Sequence, residues 1–124
     1  MDPIDALDVR AYTIPAASPE ADGTIAWAET TIITVEATAG CETGFGYTYG
    51  DVSVGLLVAK DLSKFILRRD PLSPRALWIS MVQAVRNIGR PGVAAMAISA
   101  IDIALWDLKA RVLQLPITGL IGAV

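Results

Sequence analysis

Residues 97–111, AISAIDIALWDLKAR, hold two carboxylates, Asp102 and Asp107, in an otherwise apolar run. Paired carboxylates can act as general acid and base or as metal ligands. On a helix, however, residues five apart point about 140° apart, so these two side chains do not share a face or readily chelate one ion. We therefore predict a structural role for both, each tied to a backbone amide or a cation, with a tether to another domain as the alternative. Arg111, four residues after Asp107, is placed to pair with it.

Several other kinds of site are excluded by residue type. The chain has no histidine and one cysteine, Cys41, so it cannot form an intrachain disulfide, a Cys/His zinc site or a His general base. Cys41 has no neighbouring base or cation in sequence, and we expect an unreactive thiol. Gly44 and Gly46 lack the lysine and the full glycine pattern of a phosphate loop, so we expect them to let strand and loop approach closely. No catalytic residue and no metal ligand is predicted in this chain.

Charge and hydropathy limit the partners. Ten basic and 13 acidic residues give a net charge of −3 without a basic block, which argues against nucleic acid as a partner.

The acidic start MDPIDALD is unlike a signal peptide, and the longest apolar run, 93–101, is short of the ~20 residues of a membrane span. We therefore expect a cytoplasmic protein. Counted without its 3 tyrosines and with its 10 glycines, the apolar fraction is roughly 59%, above the usual ~45–50%. The excess indicates either an alanine-rich core or a face that docks on another domain or subunit.

The first half of the chain has the pattern of a β-meander. Apolar and polar residues alternate over 4–14 and 30–38, and a third strand is predicted at 43–47 after a short glycine turn. The segment 15–29, PAASPEADGTIAWAE, is rich in proline and small residues and is predicted to be a long, mobile or functional loop.

The second half has helical spacing. We predict helices over 51–67, capped by Asp51, from Ser73 to before Gly89, and over 93–115, where Pro116 stops the last one. Gly89 is predicted to take the positive φ of a helix C-terminus. The fold class is therefore α+β, a three-stranded antiparallel meander followed by a three-helix bundle. The predicted buried stripes of the first two helices are Val54, Leu57, Val58, Leu62 and Phe65, then Leu77, Met81, Val85 and Ile88.

The last predicted helix and the residues after it carry the most specific signal. Residues 97–122 resemble the N-terminal signature of the mandelate racemase/muconate lactonizing enzyme family of the enolase superfamily. The matching elements are Ala97, Ser99-Ala100, Ile101-Asp102, Ala104-Leu105, Asp107, Ala110-Arg111, Pro116-Ile117 and Leu120-Ile121-Gly122. The resemblance gives a structural role to Ser99, Asp102, Trp106, Asp107, Arg111, Pro116 and Gly122.

The resemblance implies that 1–115 is a capping domain and that 116–124 begins a linker to a (β/α)-barrel absent from this chain. In the family, two mobile loops of the capping domain overhang the active site, and 15–29 and 46–51 match them. The candidate substrate-specificity residues are Glu20, Asp22, Trp27, Tyr47, Thr48 and Tyr49. For Tyr47 and Tyr49, packing on the sheet at a strand end is the alternative.

The resemblance also implies the activity of the parent enzyme. Family members use Mg²⁺ held by the barrel, and barrel Lys or His bases, to remove a proton α to a carboxylate in racemases, acid-sugar dehydratases and cycloisomerases. This chain has no Lys-x-Lys motif and is predicted to be inactive alone. A homo-oligomer is expected, and the apolar end of the chain suggests that further sequence follows. The alternative is a stand-alone dimerisation or interaction module that uses the barrel-docking face.

Overall fold

The computed structural model describes residues 1–122, in which an antiparallel sheet is followed by helices. The strands are β1 (Ile4–Ala21), β2 (Ala26–Ala39) and β3 (Glu42–Tyr49), in the sheet order β1-β2-β3. The helical segments are α1 (Val52–Leu57), a π-helical turn (Val58–Leu62), α2 (Ser63–Ile66), α3 (Pro74–Ala84), α4 (Val93–Val112) and α5 (Ile117–Ile121). The predicted α+β class and the order of its elements are confirmed.

The segment 15–29 is mostly strand, so the prediction of a long loop was wrong. β1 and β2 stay paired as far as Ala21 and Ala26, which leaves a turn of residues 22–25. The register shifts between Pro15 and Glu20, where β1 bulges against β2. Pro15 lies on an edge strand, where a missing N–H is tolerated. Proline and glycine therefore mark a bulge and a turn here, not a loop. We call residues 15–29 the ribbon.

The second predicted loop, 46–51, is also largely ordered into secondary structure. Residues 46–49 belong to β3 and pair with β2. Asp51 is the N-cap of α1, and its Oδ1 accepts a hydrogen bond from the amide N of Ser53 at 2.9 Å. Only a short turn at Gly50 joins sheet to helix.

The core lies between one face of the sheet and the helices. Ile33, Val35 and Ala37 of β2 are fully buried at alternate positions, as the period of a strand predicts. On β3 the buried positions are Gly44 and Gly46, which lie against the backbone of α4. The closeness expected of these glycines is therefore between strand and helix, not between strand and loop.

The first predicted helix is interrupted by the π-helical turn 58–62. A π turn holds more residues than an α turn, so the buried face moves by one position after it. Ile66 is fully buried, whereas Phe65, predicted in the stripe, is only partly buried. The 3.6-residue spacing placed Phe65 in the core because sequence spacing alone does not reveal the extra residue.

The second helix begins as predicted and ends early. Ser73 is the N-cap of α3, with Pro74 at the first helical position. The Ser73 hydroxyl donates to Asp70 Oδ2, however, and accepts no hydrogen bond from the amides of the helix. α3 ends at Ala84, and Ile88, predicted on its buried face, is 59% exposed. Gly89 has the predicted positive φ, at 100°.

α4 ends at Val112, three residues before the predicted end. Leu115 precedes Pro116, and a proline ring disfavours helical backbone geometry in the residue before it. Pro116 then opens the short helix α5 within the predicted linker 116–124, of which residues 123 and 124 lie outside the described residues. None of the helices in residues 1–122 has both the length and the hydrophobicity of a membrane span.

Candidate functional site

Asp22 organises the tip of the ribbon. Its Oδ1 accepts hydrogen bonds from the amide N of Thr24 at 2.7 Å, the hydroxyl of Thr24 at 2.8 Å and the amide N of Ile25 at 2.9 Å. The backbone bond from Thr24, followed by that from Ile25, holds the pKa of Asp22 below its ordinary value. One oxygen of this carboxylate is therefore committed to the turn.

Glu20 and Trp27 face each other across the ribbon below the turn. They are paired in register, and Trp27 Nε1 donates to Glu20 Oε2 at 2.9 Å. Both side chains are otherwise exposed. The structure thus brings the three ribbon candidates, Glu20, Asp22 and Trp27, into one cluster.

The candidates on β3 form a row on the open face of the sheet, opposite α4. Ring centroids are 6.3 Å apart between Phe45 and Tyr47, and 6.1 Å apart between Tyr47 and Tyr49, which meet edge to face. Tyr49 is 61% exposed. We call Phe45, Tyr47 and Tyr49 the aromatic row. Thr48 points to the other face, and its hydroxyl donates to the carbonyl of Tyr49 at 3.1 Å.

The ribbon cluster and the aromatic row lie in different places along the sheet. Tyr49 is paired with Ile32 of β2, and Trp27 lies on the same strand, five residues before Ile32. At about 3.3 Å per residue, this separates the two groups by roughly 17 Å. The ribbon therefore projects beyond the end of β3, and the six candidates do not converge on one point.

Asp107 connects the signature helix to the sheet. Its Oδ2 accepts hydrogen bonds from the amide N of Phe45 at 2.8 Å and from Arg111 Nε at 3.0 Å. Phe45 is on an edge strand, and its amide points away from β2. A backbone amide and a cation are the two partners predicted for this carboxylate.

Asp102 differs from the expectation. Within residues 1–122 it makes no hydrogen bond and no ion pair, so the predicted tie to an amide or cation is wrong for this residue in the described part of the chain. It lies, partly buried, in a cavity of about 280 Å³ between α3 and α4. Burial raises the pKa of its carboxyl above the ordinary aspartate value. We call this cavity, lined by Arg75, Trp78, Ile79, Asp102 and Trp106, the Asp102 cavity.

Three of the four remaining signature residues lie on the surface. Ser99 is exposed on α4, Pro116 precedes α5, and Gly122 ends α5 with a φ of 85°. Trp106 is partly buried, with Lys109 Nζ 5.2 Å from its ring centroid. Sequence reasoning missed Arg75, Trp78 and Ile79. Their spacing places them on one face of α3, but only the packing of α3 on α4 brings that face to Asp102.

Metal ligands do not cluster in the described part of the chain. Nowhere in residues 1–122 do three or more acidic or cysteine side chains converge as metal ligands would. Cys41 is exposed in the turn between β2 and β3.

Comparison with known proteins decides the family. The model of the "Mandelate racemase / muconate lactonizing enzyme, N-terminal domain" matches residues 8–122. The chain belongs to this family. Its sheet and helices are those of the enolase-type N-terminal capping domain, as the signature helix predicts.

Solved structures and curated relatives agree with this assignment. The chain is 55% identical to a mandelate racemase/muconate lactonizing enzyme-like protein from Rubrobacter xylanophilus, with a TM-score of 0.92 over 95% of this chain and 33% of that one. It is 43% identical over 84 residues to the 3,6-anhydro-alpha-L-galactonate cycloisomerase of Streptomyces coelicolor, covering 64% of this chain and 23% of that one. It is 30% identical to the L-talarate/galactarate dehydratase from Salmonella typhimurium liganded with Mg and L-lyxarohydroxamate, with a TM-score of 0.81 over 98% of this chain and 34% of that one.

This capping domain spans about a third of the solved structures and less than a quarter of the curated cycloisomerase. The relatives include dehydratases and cycloisomerases, and solved relatives contain magnesium. The expected membership of the family is confirmed. The roles of the six substrate-specificity candidates stay predictions.

Proposed function

We propose that this chain is the substrate-specificity cap of a Mg²⁺-dependent enzyme that removes a proton α to the carboxylate of an acid sugar or a related acid. The observation that carries the proposal is the match of nearly the whole chain to the N-terminal domain of enzymes three times as long. The relatives named above are an acid-sugar dehydratase and an anhydrosugar-acid cycloisomerase. Racemisation, dehydration and cycloisomerisation therefore all stay within the proposal.

The proposed division of labour follows from residue types. The residues that the structure describes do not bring three potential ligands together for a Mg²⁺ ion, and the sequence has no histidine that could act as a base. We assign the metal and the bases to a (β/α)-barrel that follows a capping domain of residues 1–115 and a linker beginning at 116. There, Mg²⁺ would stabilise negative charge that develops on the substrate. On this view the 124-residue chain alone has no activity.

The ribbon and the aromatic row are the surfaces we propose for substrate selection and exclusion of water. The Trp27 ring and the Tyr49 side chain are exposed on strands, which hold them more rigidly than a loop would. Asp22 supports this role indirectly, because its carboxylate fixes the turn that positions Glu20 and Trp27. In the longer protein, the ribbon would reach over the barrel, while the aromatic row would stay on the open face of the sheet.

A second candidate, an interaction module, is favoured by the outer surface of α4 and α5. α4 and the residues after it expose large apolar side chains as well as burying others in the core, and such surfaces are often covered. The exposed apolar residues are Met96, Ile103, Leu113, Ile117 and Ile121. A barrel or a second copy of the chain could cover this surface. Sedimentation of the 124-residue chain would distinguish the two covers. A dimer that forms as the concentration rises would favour a second copy, and a monomer at all concentrations would favour the barrel.

The cap proposal can be tested by a domain exchange. Residues 1–122 would replace the N-terminal third of the Salmonella typhimurium L-talarate/galactarate dehydratase, and Mg²⁺-dependent dehydration would be measured on a panel of acid sugars. We expect activity with an altered substrate preference, and a higher KM for Trp27→Ala or Tyr49→Ala in this hybrid. Thr43→Ala, at the opposite end of β3, serves as the matched control. A folded hybrid with no activity on any acid sugar would contradict the proposal.

A further inference from the structure

The Asp102 cavity holds a carboxylate whose charge is not balanced within residues 1–122. Asp102 is partly buried there and has no hydrogen bond or ion pair in that range, whereas Asp107 of the same helix accepts two hydrogen bonds. Partial burial of an unpaired carboxylate costs free energy. Arg75 lines the same cavity but forms no ion pair with Asp102. The site therefore has capacity for a cation from outside the domain.

The walls of the cavity indicate which cation would fit. Trp78 and Trp106 line the cavity together with Asp102, and each ring has a cation of this chain close to it. The Arg90 guanidinium is 5.3 Å from the Trp78 centroid, and Lys109 Nζ is 5.2 Å from that of Trp106. A guanidinium group can stack on an indole and bind a carboxylate through two N–H groups at once, which an ammonium group cannot do.

The size of the cavity suits a single side chain. Its volume of about 280 Å³ lies at the lower end of the range of small-molecule sites, ~300–1,000 Å³. Aromatic and arginine side chains are also the typical anchors of protein interfaces. The relatives continue for about twice the length of this domain, so a second domain is available to supply such an anchor.

We propose that the Asp102 cavity is an interdomain socket for an arginine side chain of the domain that follows in the longer protein. This inference rests on the proposed function for the source of the arginine. The recognition itself depends only on the chain described here: Asp102 neutralises the guanidinium, which stacks on an indole ring of the cavity wall, Trp78 or Trp106.

The recognition can be tested on the 124-residue chain by NMR titration with N-acetyl-L-arginine methylamide. We expect saturable shifts of the Trp78 and Trp106 indole N–H signals, with a dissociation constant on the order of millimolar, because one side chain carries little binding energy. The uncharged isostere N-acetyl-L-citrulline methylamide should give none. Asp102→Asn should abolish the shifts, and Asp61→Asn, an acidic residue in the π-helical turn, should retain them. Equal responses to the two ligands, or an unaltered titration of Asp102→Asn, would overturn the proposal.

The source of the arginine can be tested in a hybrid in which residues 1–122 replace the N-terminal third of the Rubrobacter xylanophilus protein. We expect Asp102→Asn to lower the unfolding temperature of the hybrid but to leave that of the isolated chain unchanged or higher. The same change in both contexts would overturn the interdomain socket. A dimer of the isolated chain that Asp102→Arg dissociates would also overturn it, by naming a second copy as the occupant. A hybrid that does not assemble counts against the proposed function, while the titration still decides the recognition.

Discussion

Asp107 on α4 and Phe45 on β3, 62 residues apart in sequence, are joined by a hydrogen bond of 2.8 Å from the Phe45 amide to the Asp107 carboxylate. The bond satisfies an N–H at the edge of the sheet, where an unpaired amide could otherwise pair with another chain. Arg111 Nε donates to the same oxygen at 3.0 Å. One carboxylate of the family signature thus connects the sheet to the helix that follows it.

We expect Asp107→Ala to destabilise the chain by about 1–3 kcal/mol, because a hydrogen bond to a charged group is lost and the Phe45 amide is left without its partner. Urea unfolding measures the loss, and hydrogen exchange of the Phe45 amide reports it locally. Arg111→Ala removes only a half-exposed ion pair and should cost less than about 1 kcal/mol. If the two variants lose equal stability and Phe45 exchange is unchanged, Asp107 does not hold β3.

The close packing of β3 on α4 requires glycine at two positions. A Cβ at Gly44 would collide with the Ala104 carbonyl oxygen and the Leu108 backbone, and one at Gly46 with backbone atoms of Ala100 and Ala104. Neither backbone can move without displacing α4. We therefore expect Gly44→Ala and Gly46→Ala each to cost at least about 3 kcal/mol or to prevent folding.

Gly23 provides the matched control for these two glycines. It lies in the turn of the ribbon, where a Cβ added to it would meet no other atom within 4 Å. Gly23→Ala should change the free energy of unfolding by no more than about 0.5 kcal/mol. Denaturant unfolding of the three variants measures these changes in free energy. An equal loss of stability in Gly23→Ala and Gly44→Ala would refute the close packing of β3 on α4.

The sequence predicted which elements form better than how far they extend. Alternation in β2 and the cap at Asp51 are local signals, and the structure confirms both. The ribbon was missed because the pairing of β1 with β2 past Pro15 depends on a bulge, and composition does not distinguish a bulge from a loop. The Asp102 cavity was missed for a related reason, since it requires knowing that α3 packs beside α4.

The π-helical turn gives a sharp test of where the core lies. Ile66 is fully buried after the turn, whereas Phe65 is only partly buried, with Lys64 Nζ 5.5 Å from its ring centroid. We expect Ile66→Ala to cost about 2–5 kcal/mol, since it leaves a cavity in the core. Phe65→Ala should cost about 1 kcal/mol. Thermal and urea unfolding measure both, and a larger loss for Phe65→Ala would mean that the helix is regular.

The unpaired carboxylate of Asp102 should appear in the pH dependence of stability. Burial raises its pKa, so the folded chain binds this proton more tightly than the unfolded chain does. The free energy of unfolding should therefore fall as pH rises from about 4, the ordinary aspartate range, through the folded-state pKa, and then be independent of this group. Hydrogen bonds from the backbone lower the pKa of Asp22, Asp51 and Asp70, and the stability these groups contribute is lost only below about pH 4.

The burial of ionised Asp102 acts above about pH 4, and the loss of the other three carboxylates acts below it, so one substitution distinguishes them. Asp102→Asn removes the cost of burying the Asp102 charge at neutral pH. It leaves the loss of stability below about pH 4 unchanged. In the 124-residue chain it should be more stable than the parent at pH 7, by less than about 1 kcal/mol for a single partly buried charge. The advantage should vanish below about pH 4, where the parent carboxyl is protonated in the unfolded chain as well as in the folded one. Urea unfolding of both proteins between pH 3 and 7 measures the difference. A difference that is constant with pH would mean that Asp102 is as well solvated when folded as when unfolded, and that its cavity holds no unbalanced charge.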